Sequence, residues 1–157
     1  HPMKNKYDQY NQEETINLKL VIGLYRSYSE VNKQTLQVLS ENKLTIAQFG
    51  VLEALYHLGD LKINDIIEKT LSTSGNITVV IKNLEKDHLI ERYKDEKDSR
   101  ICMIRLSDAG EKLIRNVFPE HLRQLAHAFR NLEEEDKKQL MLLLKKLNGI
   151  PTNETEI

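Results

Sequence analysis

The sequence predicts a mainly helical chain with one small β-hairpin near its middle. Three observations carry that expectation. Apolar residues recur at helical spacing over long stretches toward both ends, from Ile16 to Val38 and from Leu113 to Phe129. Residues 74–86, SGNITVVIKNLEK, form a shorter amphipathic run. Immediately after it, two period-two segments flank a charged connection, DEKDSR, at Asp95 to Arg100.

Taken from the N-terminus, His1-Pro2 ahead of Met3 reads as a cloning remnant and is set aside. Ile16, Leu20, Leu24, Tyr28, Val31 and Val38 then share one helical stripe, which Leu18, Val21, Ile22 and Tyr25 widen. A surface that wide implies packing on more than one side. Thr45-Ile46-Ala47-Gln48 is a capping box, and the helix it opens turns Phe49, Leu52, Leu55 and Leu58 inward before ending at Gly59. Ile63, Ile66 and Ile67 mark a short helix. Within 74–86, helical periodicity gathers Ile77, Val80, Ile81 and Leu84 on an inward stripe. Gly75, Val79, Lys82 and Lys86 lie opposite, with Asn76, Thr78 and Asn83 on the flanks. Leu89, Glu91 and Tyr93 alternate with Ile90, Arg92 and Lys94, and beyond the tip Cys102, Ile104 and Leu106 alternate with Ile101, Met103 and Arg105. Ser107 caps the next helix, which Pro119 is expected to bend or interrupt. Asn131 with Glu134 is expected to open the last helix. Its acidic first turn and the Lys145-Lys146 pair at its end suit the macrodipole, and Gly149 and Pro151 stop it.

The outward side of residues 74–86 is small and polar at its start and basic toward its end. Ser, Thr and Asn can exchange hydrogen bonds with base edges, a Val or Thr methyl can meet a thymine methyl, and lysines can neutralise phosphates. The charged tip holds neither Gly nor Pro, so an extended arm suits it better than a tight turn. A guanidinium at its end, Arg100, can enter a minor groove, where negative potential is concentrated. Helix and arm together have the form of a device that grips a nucleic-acid duplex.

Residues 76–110, NITVVIKNLEKDHLIERYKDEKDSRICMIRLSDAG, resemble the winged helix-turn-helix core of the MarR (multiple antibiotic resistance regulator) family. The likeness rests on Leu84-Glu85-Lys86 closing the recognition helix, Asp98 and Arg100 as the Asp-x-Arg of the wing, and Leu106-Ser107 with Gly110 after it. The flanking helices extend it over residues 12–148. Phe118-Pro119-Glu120-His121 is similar to the subgroup that senses quinones and related phenolics. The resemblance implies a homodimeric, sequence-specific DNA-binding regulator, a repressor that a small aromatic or phenolic effector releases from a near-palindromic operator. It divides the chain into an N-terminal dimerisation helix (3–44), a winged helix-turn-helix region (45–106), C-terminal dimerisation helices (107–150) and a flexible tail (151–157).

On this plan Ser72, Ser74, Asn76, Thr78, Val79 and Lys82 face the major groove, and Arg100 enters the minor groove or holds phosphate. Asp98 braces the wing against nearby basic groups, and Thr45 and Gln48 meet phosphates at a helix N-terminus. Tyr25, Tyr28, Phe49, Tyr56 and His57 are the candidates for lining an effector crevice between the dimer helices and the reading head. Two positions depart from the family pattern. Val79 stands where Arg is common, which removes the usual bidentate guanine reader and points to A·T steps, methyl contacts and groove shape. His88 stands where Gly is frequent, so the chain must leave the helix by another means.

Composition bounds the reading. A hydrophobic content of 39% and a charged content of 30% over 157 residues supply one ordinary core and a polar surface. The net charge of −1 counts against a nonspecific nucleic-acid binder. A specific one is served by segregation, with Lys82, Lys86, Arg92, Lys94, Lys97, Arg100 and Arg105 around the reading head and the acidic run Glu133 to Asp136 elsewhere. The single cysteine excludes an internal disulfide, no apolar run approaches a membrane span, and the N-terminus lacks a signal-peptide pattern. A cytoplasmic protein without a membrane partner is therefore expected. Cys102 falls in the inward set of a strand, so no catalytic residue is assigned and the chain is not expected to be an enzyme. His57, His88, His121 and His127 offer no i,i+4 pair, and neither a metal nor a cofactor is expected. Two alternatives stand beside the DNA-binding regulator. One is a winged-helix protein-interaction module without DNA contact, favoured by Val79 and by the weak local charge that Glu85, Asp87, Glu91, Asp95, Glu96 and Asp98 leave, and opposed by the Asp98 and Arg100 of the wing. The other is a metal- or thiol-responsive regulator.

Overall fold

Asn11 starts the first long helix by a reciprocal cap: its Oδ1 accepts from the Glu14 N–H at 2.8 Å, and Glu14 Oε1 accepts from the Asn11 N–H at 3.0 Å. This is α1 (Gln12–Glu41) of the computed structural model, which describes residues 5–70 and 74–153. Only Val38 and Leu39 of α1 are buried, and its apolar stripe is open, with Leu20 58% and Tyr28 67% exposed. Thr45 and Gln48 form the expected box at the start of α2 (Ile46–Leu58), at 3.1 and 3.0 Å. Phe49, Leu52 and Leu55 are buried, whereas Leu58, expected inward, is exposed because it is the last helical residue and lies past the edge of the core. Gly59 then adopts φ 83° and ψ −164°, a conformation open to glycine alone without strain, and redirects the chain.

The hairpin is part of a larger sheet. β2 (Ile90–Lys94) and β3 (Cys102–Leu106) pair antiparallel from Ile90↔Leu106 to Lys94↔Cys102, and β1 (Leu61–Lys62) adds to the far side of β3 through Leu61↔Ile104, giving the order β1-β3-β2. A strand of two residues is too short to show alternation, so it was not legible in the sequence. Between β1 and β2 run α3 (Ile63–Lys69) and α4 (Ser74–Lys86). After the sheet, Ser107 Oγ accepts from the Gly110 N–H at 3.0 Å and caps α5 (Asp108–Ala128).

Two expectations are corrected here. Of the two outcomes expected at Pro119, interruption does not occur and α5 runs through it: its ring is exposed, so the carbonyl that it leaves without a donor can be hydrated. The final helix, α6 (Glu134–Leu147), is capped by Glu133 and Asp136 rather than opened by Asn131 with Glu134, because the acidic run carries its own reciprocal box, with the Glu133 N–H on Asp136 Oδ2 at 2.9 Å.

The core is one cluster joining the end of α1 to α2, α3, α4, the sheet and α5. Leu39, Leu52, Ile66, Ile77, Ile81, Leu84, Ile104 and Ile114 are fully buried in it. Helix α6 and the first two-thirds of α1 stand outside that cluster. No helix among the described residues is long and apolar enough to cross a membrane.

His88 solves the turn after α4 in the left-handed conformation, at φ 59°. The Leu89 N–H reaches the Leu84 carbonyl at 2.9 Å and the His88 N–H reaches Glu85 at 3.0 Å, the two bonds of a Schellman turn, while Ser107 Oγ donates to the His88 carbonyl at 2.7 Å. Left-handed backbone strains a residue with a Cβ, and glycine relieves that strain at some entropic cost. His88→Gly is therefore expected to stabilise the fold by about 0.5–1 kcal/mol. Urea denaturation at fixed pH checks this.

Candidate nucleic-acid interface

Helix α4 splits as its sequence dictates. Ile77, Ile81 and Leu84 are fully buried and Val80 is 6% exposed, so one side is fixed in the core. Asn76, Thr78, Val79, Lys82, Asn83 and Lys86 are all exposed, with Val79 at 54%. Ser72 lies outside the described residues, and Ser74 begins α4 without a described side chain. Among the described residues Lys82 and Lys86 have no carboxylate within ion-pair distance, so their charge is directed to the surroundings.

The connection between β2 and β3 is organised by its acids. Asp95 Oδ2 accepts from the Lys97 and Asp98 N–H groups at 3.2 and 3.1 Å, and the Asp95 N–H donates to the Ile101 carbonyl at 3.0 Å, which closes the loop. Asp98 grips Arg100 in a fork, Nε to Oδ1 at 3.0 Å and Nη2 to Oδ2 at 3.1 Å, and also accepts from the Arg100 N–H at 3.0 Å. Those bonds from Arg100, with Lys62 adding to them, hold the Asp98 carboxyl below its usual range, and Asp98 in turn keeps Arg100 charged. The Arg100 side chain is nonetheless 89% exposed, so the arm presents a positioned guanidinium to solvent.

Arg92 and Arg105 do not serve the basic field expected around the reading head. Arg92 Nε lies 3.1 Å from Glu85 of α4, tying the sheet to the helix, and Arg105 Nε lies 3.0 Å from Glu91. Opposite charges at cross-strand or helix-to-strand contact cancel at range. At the start of α2, Thr45 and Gln48 occupy each other's N–H groups, so a phosphate there would meet the Thr45 hydroxyl proton, the Gln48 amide and the remaining helix N–H groups.

The five aromatic candidates do not form one crevice. Phe49 and His57 come together with Phe118 and His121 of α5: the Phe49 ring is 5.0 Å from His121 and His57 is 4.6 Å from Phe118. Tyr56 touches the edge of this group at 5.2 Å from His57 and turns its hydroxyl toward Arg115. Tyr25 is 71% exposed, and Tyr28 instead lines an apolar groove of 740 Å³ with Leu20, Gly23, Phe129, Leu140 and Leu144. Both tyrosines stand on the open surface of α1, and neither makes a ring contact with the cluster among the described residues. Phe118 and His121 were visible beforehand only as part of the Phe-Pro-Glu-His run.

Among the described residues His121 Nδ1 is buried without a hydrogen-bond partner, and burial pushes the imidazole below its ordinary range. The unfolded chain then takes up a proton that the folded chain refuses, so stability is complete above the unfolded value and falls as acid is added through it. His121→Leu is expected to flatten the decline in urea midpoint between about pH 6.5 and 5 relative to the parent protein. Among the described residues no group of three His, Cys, Asp or Glu side chains is placed to hold a metal ion.

Comparison with known proteins gives the geometry its setting. The model of the SarA/Rot transcriptional regulators matches residues 33–117. The chain is similar to the HTH-type transcriptional regulator MhqR of Bacillus subtilis (strain 168), 32% identical over 130 residues, 83% of this chain and 90% of that protein. It is 32% identical over 144 residues to YkoM, an HTH-type transcriptional regulator of the same organism, covering 92% of each. Among solved structures, BpsR of Bordetella bronchiseptica superposes with a TM-score of 0.73 at 25% identity, over 83% of this chain and 98% of that one.

Proposed function

The chain belongs to the SarA/Rot and MarR-like winged-helix transcriptional regulators, and from that premise we propose a homodimeric repressor that grips a near-palindromic operator and is released by a small aromatic ligand. The observation that carries this reading is the exposed face of α4 beside a wing whose Asp98 holds Arg100 in the open. On this reading Asn76, Thr78, Val79 and Lys82 meet the major groove, Thr45 and Gln48 meet phosphates and Arg100 enters the adjoining minor groove. The paired state of Arg92 and Arg105 leaves a thin basic field, so fit and methyl contacts carry more of the affinity than bulk attraction.

Two copies enter this reading because α1 and α6 carry open apolar surface. Leu20, Tyr28, Leu143 and Leu147 are each more than half exposed, and the 740 Å³ groove lies between these helices. A large patch of this kind marks an interface. Twofold pairing through it sets two α4 helices about 34–36 Å apart, one helical turn of DNA.

For the effector, the Phe49, His57, Phe118 and His121 cluster replaces the wider set of five as the proposed lining. Its buried, unpartnered His121 Nδ1 offers a polar anchor among aromatic faces, as a phenolic ligand needs. The DNA binding of BpsR is regulated by 6-hydroxynicotinic acid, a small hydroxylated aromatic acid. A ligand releases DNA only by preferring one arrangement of the heads. A tenfold loss of operator affinity needs about 1.4 kcal/mol of differential binding.

Selection from random duplex DNA tests the reading. Enrichment of a twofold-related, A·T-biased sequence is the expected result, with transcription from a promoter carrying that sequence reduced by the protein and restored by a phenolic ligand. No enrichment at low salt would favour the protein-interaction module, to which the neutralised Arg92 and Arg105 lend their support.

A further inference from the structure

We infer that Tyr93 is a positioning residue for the wing: its hydroxyl, donated across the sheet to Asp60, fixes the direction in which Arg100 is presented to DNA. The inference rests on the reading above, in which the wing contacts a duplex.

The sheet order β1-β3-β2 puts Tyr93 on one edge strand and Asp60 just ahead of the other, 33 residues away in sequence. Tyr93 is opposite Met103, and Met103 is opposite Lys62, so the three lie in one row on one face, with Asp60 two residues before Lys62. Along that face the Tyr93 hydroxyl reaches Asp60 Oδ2 at 2.5 Å. The Arg105 guanidinium stacks over the Tyr93 ring at 4.9 Å and is itself held by Glu91 at 3.0 Å. The bond to Asp60, ahead of burial, raises the phenol above its ordinary range, so Tyr93 keeps its proton and Asp60 is the acceptor.

None of these side chains belongs to the core cluster. Their arrangement makes sense as a guy line. On the inner face of the same strand Arg92 ties β2 to Glu85 of α4. On the outer face Tyr93 ties it to the corner made by Gly59, whose restricted conformation fixes where Asp60 stands relative to the end of α2. The loop carrying Asp98 and Arg100 leaves the sheet at Lys94 and Cys102, one residue beyond the Tyr93 row, so a tilt of β2 there is transmitted to the guanidinium. The bond also joins the wing to the helix that carries His57, and a ligand that shifts the end of α2 acts on the wing through it.

The test is a double-mutant cycle on the full chain, with the duplex enriched from the random pool, read by titration at one salt concentration. Tyr93→Phe is expected to bind about fivefold more weakly with an unchanged melting temperature. In the Arg100→Ala background the same substitution is expected to change affinity by less than about twofold, because its effect runs through the guanidinium. Asp60→Asn, which keeps an acceptor oxygen, is expected to retain most of the binding. Parent-like binding by Tyr93→Phe, or a penalty that persists in full without Arg100, overturns the positioning role and leaves the proposed function standing. A parent protein that enriches no duplex overturns both.

Discussion

Gly110→Ala is expected to be the most damaging conservative substitution in the molecule, costing about 3 kcal/mol of stability and with it DNA binding. A Cβ at Gly110 would stand 2.0 Å from the Leu89 carbonyl oxygen and 3.0 Å from its carbon, both of them backbone atoms with no freedom to swing aside. That carbonyl already accepts from the Ser107 N–H at 3.0 Å, and Ser107 Oγ links the His88 carbonyl at 2.7 Å to the Gly110 N–H at 3.0 Å. The close approach therefore joins three elements: the end of α4, the start of β2 and the first turn of α5. Pushing α5 away opens the core where Ile114 and Ile90 are buried. Gly50→Ala supplies the contrast, since a Cβ there meets only Thr70 Cγ2 at 3.9 Å. In a helix interior that change is expected to stabilise by about 0.5–1 kcal/mol. Urea midpoints of the two variants should move in opposite directions; equal shifts would show that the backbone at Leu89 yields.

What the sequence made legible follows from the range of the forces involved. The inward stripe of α4, the Thr45–Gln48 box, the Ser107 cap and the pairing of two strands around Asp95 to Arg100 are all local patterns, and each stands in the fold where it was read. The winged-helix architecture and membership of the regulator family followed from them. Long-range partners were not legible. Nothing near Tyr93 in sequence announces Asp60, and Arg92 and Arg105 look like free cations until the register sets Glu85 and Glu91 against them. The aromatic candidates share a residue type that local spacing cannot divide, whereas packing puts Phe49 and His57 with α5 and leaves Tyr25 and Tyr28 on the open side of α1. Asn131 lost the cap of α6 to Glu133, two residues on, because Glu133 and Asp136 form a self-sufficient acidic box.

Arg100→Ala is expected to weaken operator binding about tenfold to a hundredfold while leaving thermal stability unchanged. The second half of that statement follows from burial: the side chain is 89% exposed, and neither it nor its partner Asp98 is a member of the core cluster. The first half follows from geometry. Asp98 holds the guanidinium along its Nε–Nη2 edge, so the arm presents an oriented donor and would lose little side-chain freedom on binding a duplex. On the proposed twofold operator two wings act, so a chain substituted at Arg100 would lose both contacts at once. Arg100→Lys separates the two ways in which Arg100 can work. If it only neutralises a phosphate, lysine restores most of the affinity and Arg100→Ala lowers the salt dependence by about one counterion per wing. If it enters the minor groove, lysine restores little, because a planar fork suits that narrow space better than a strongly hydrated ammonium, and the A·T preference at the outer edges of the enriched site relaxes in both variants. The second outcome is the expected one, given a fork that Asp98 already holds flat. Operator binding unchanged in Arg100→Ala would remove the wing from the interface and leave α4 to read the duplex alone.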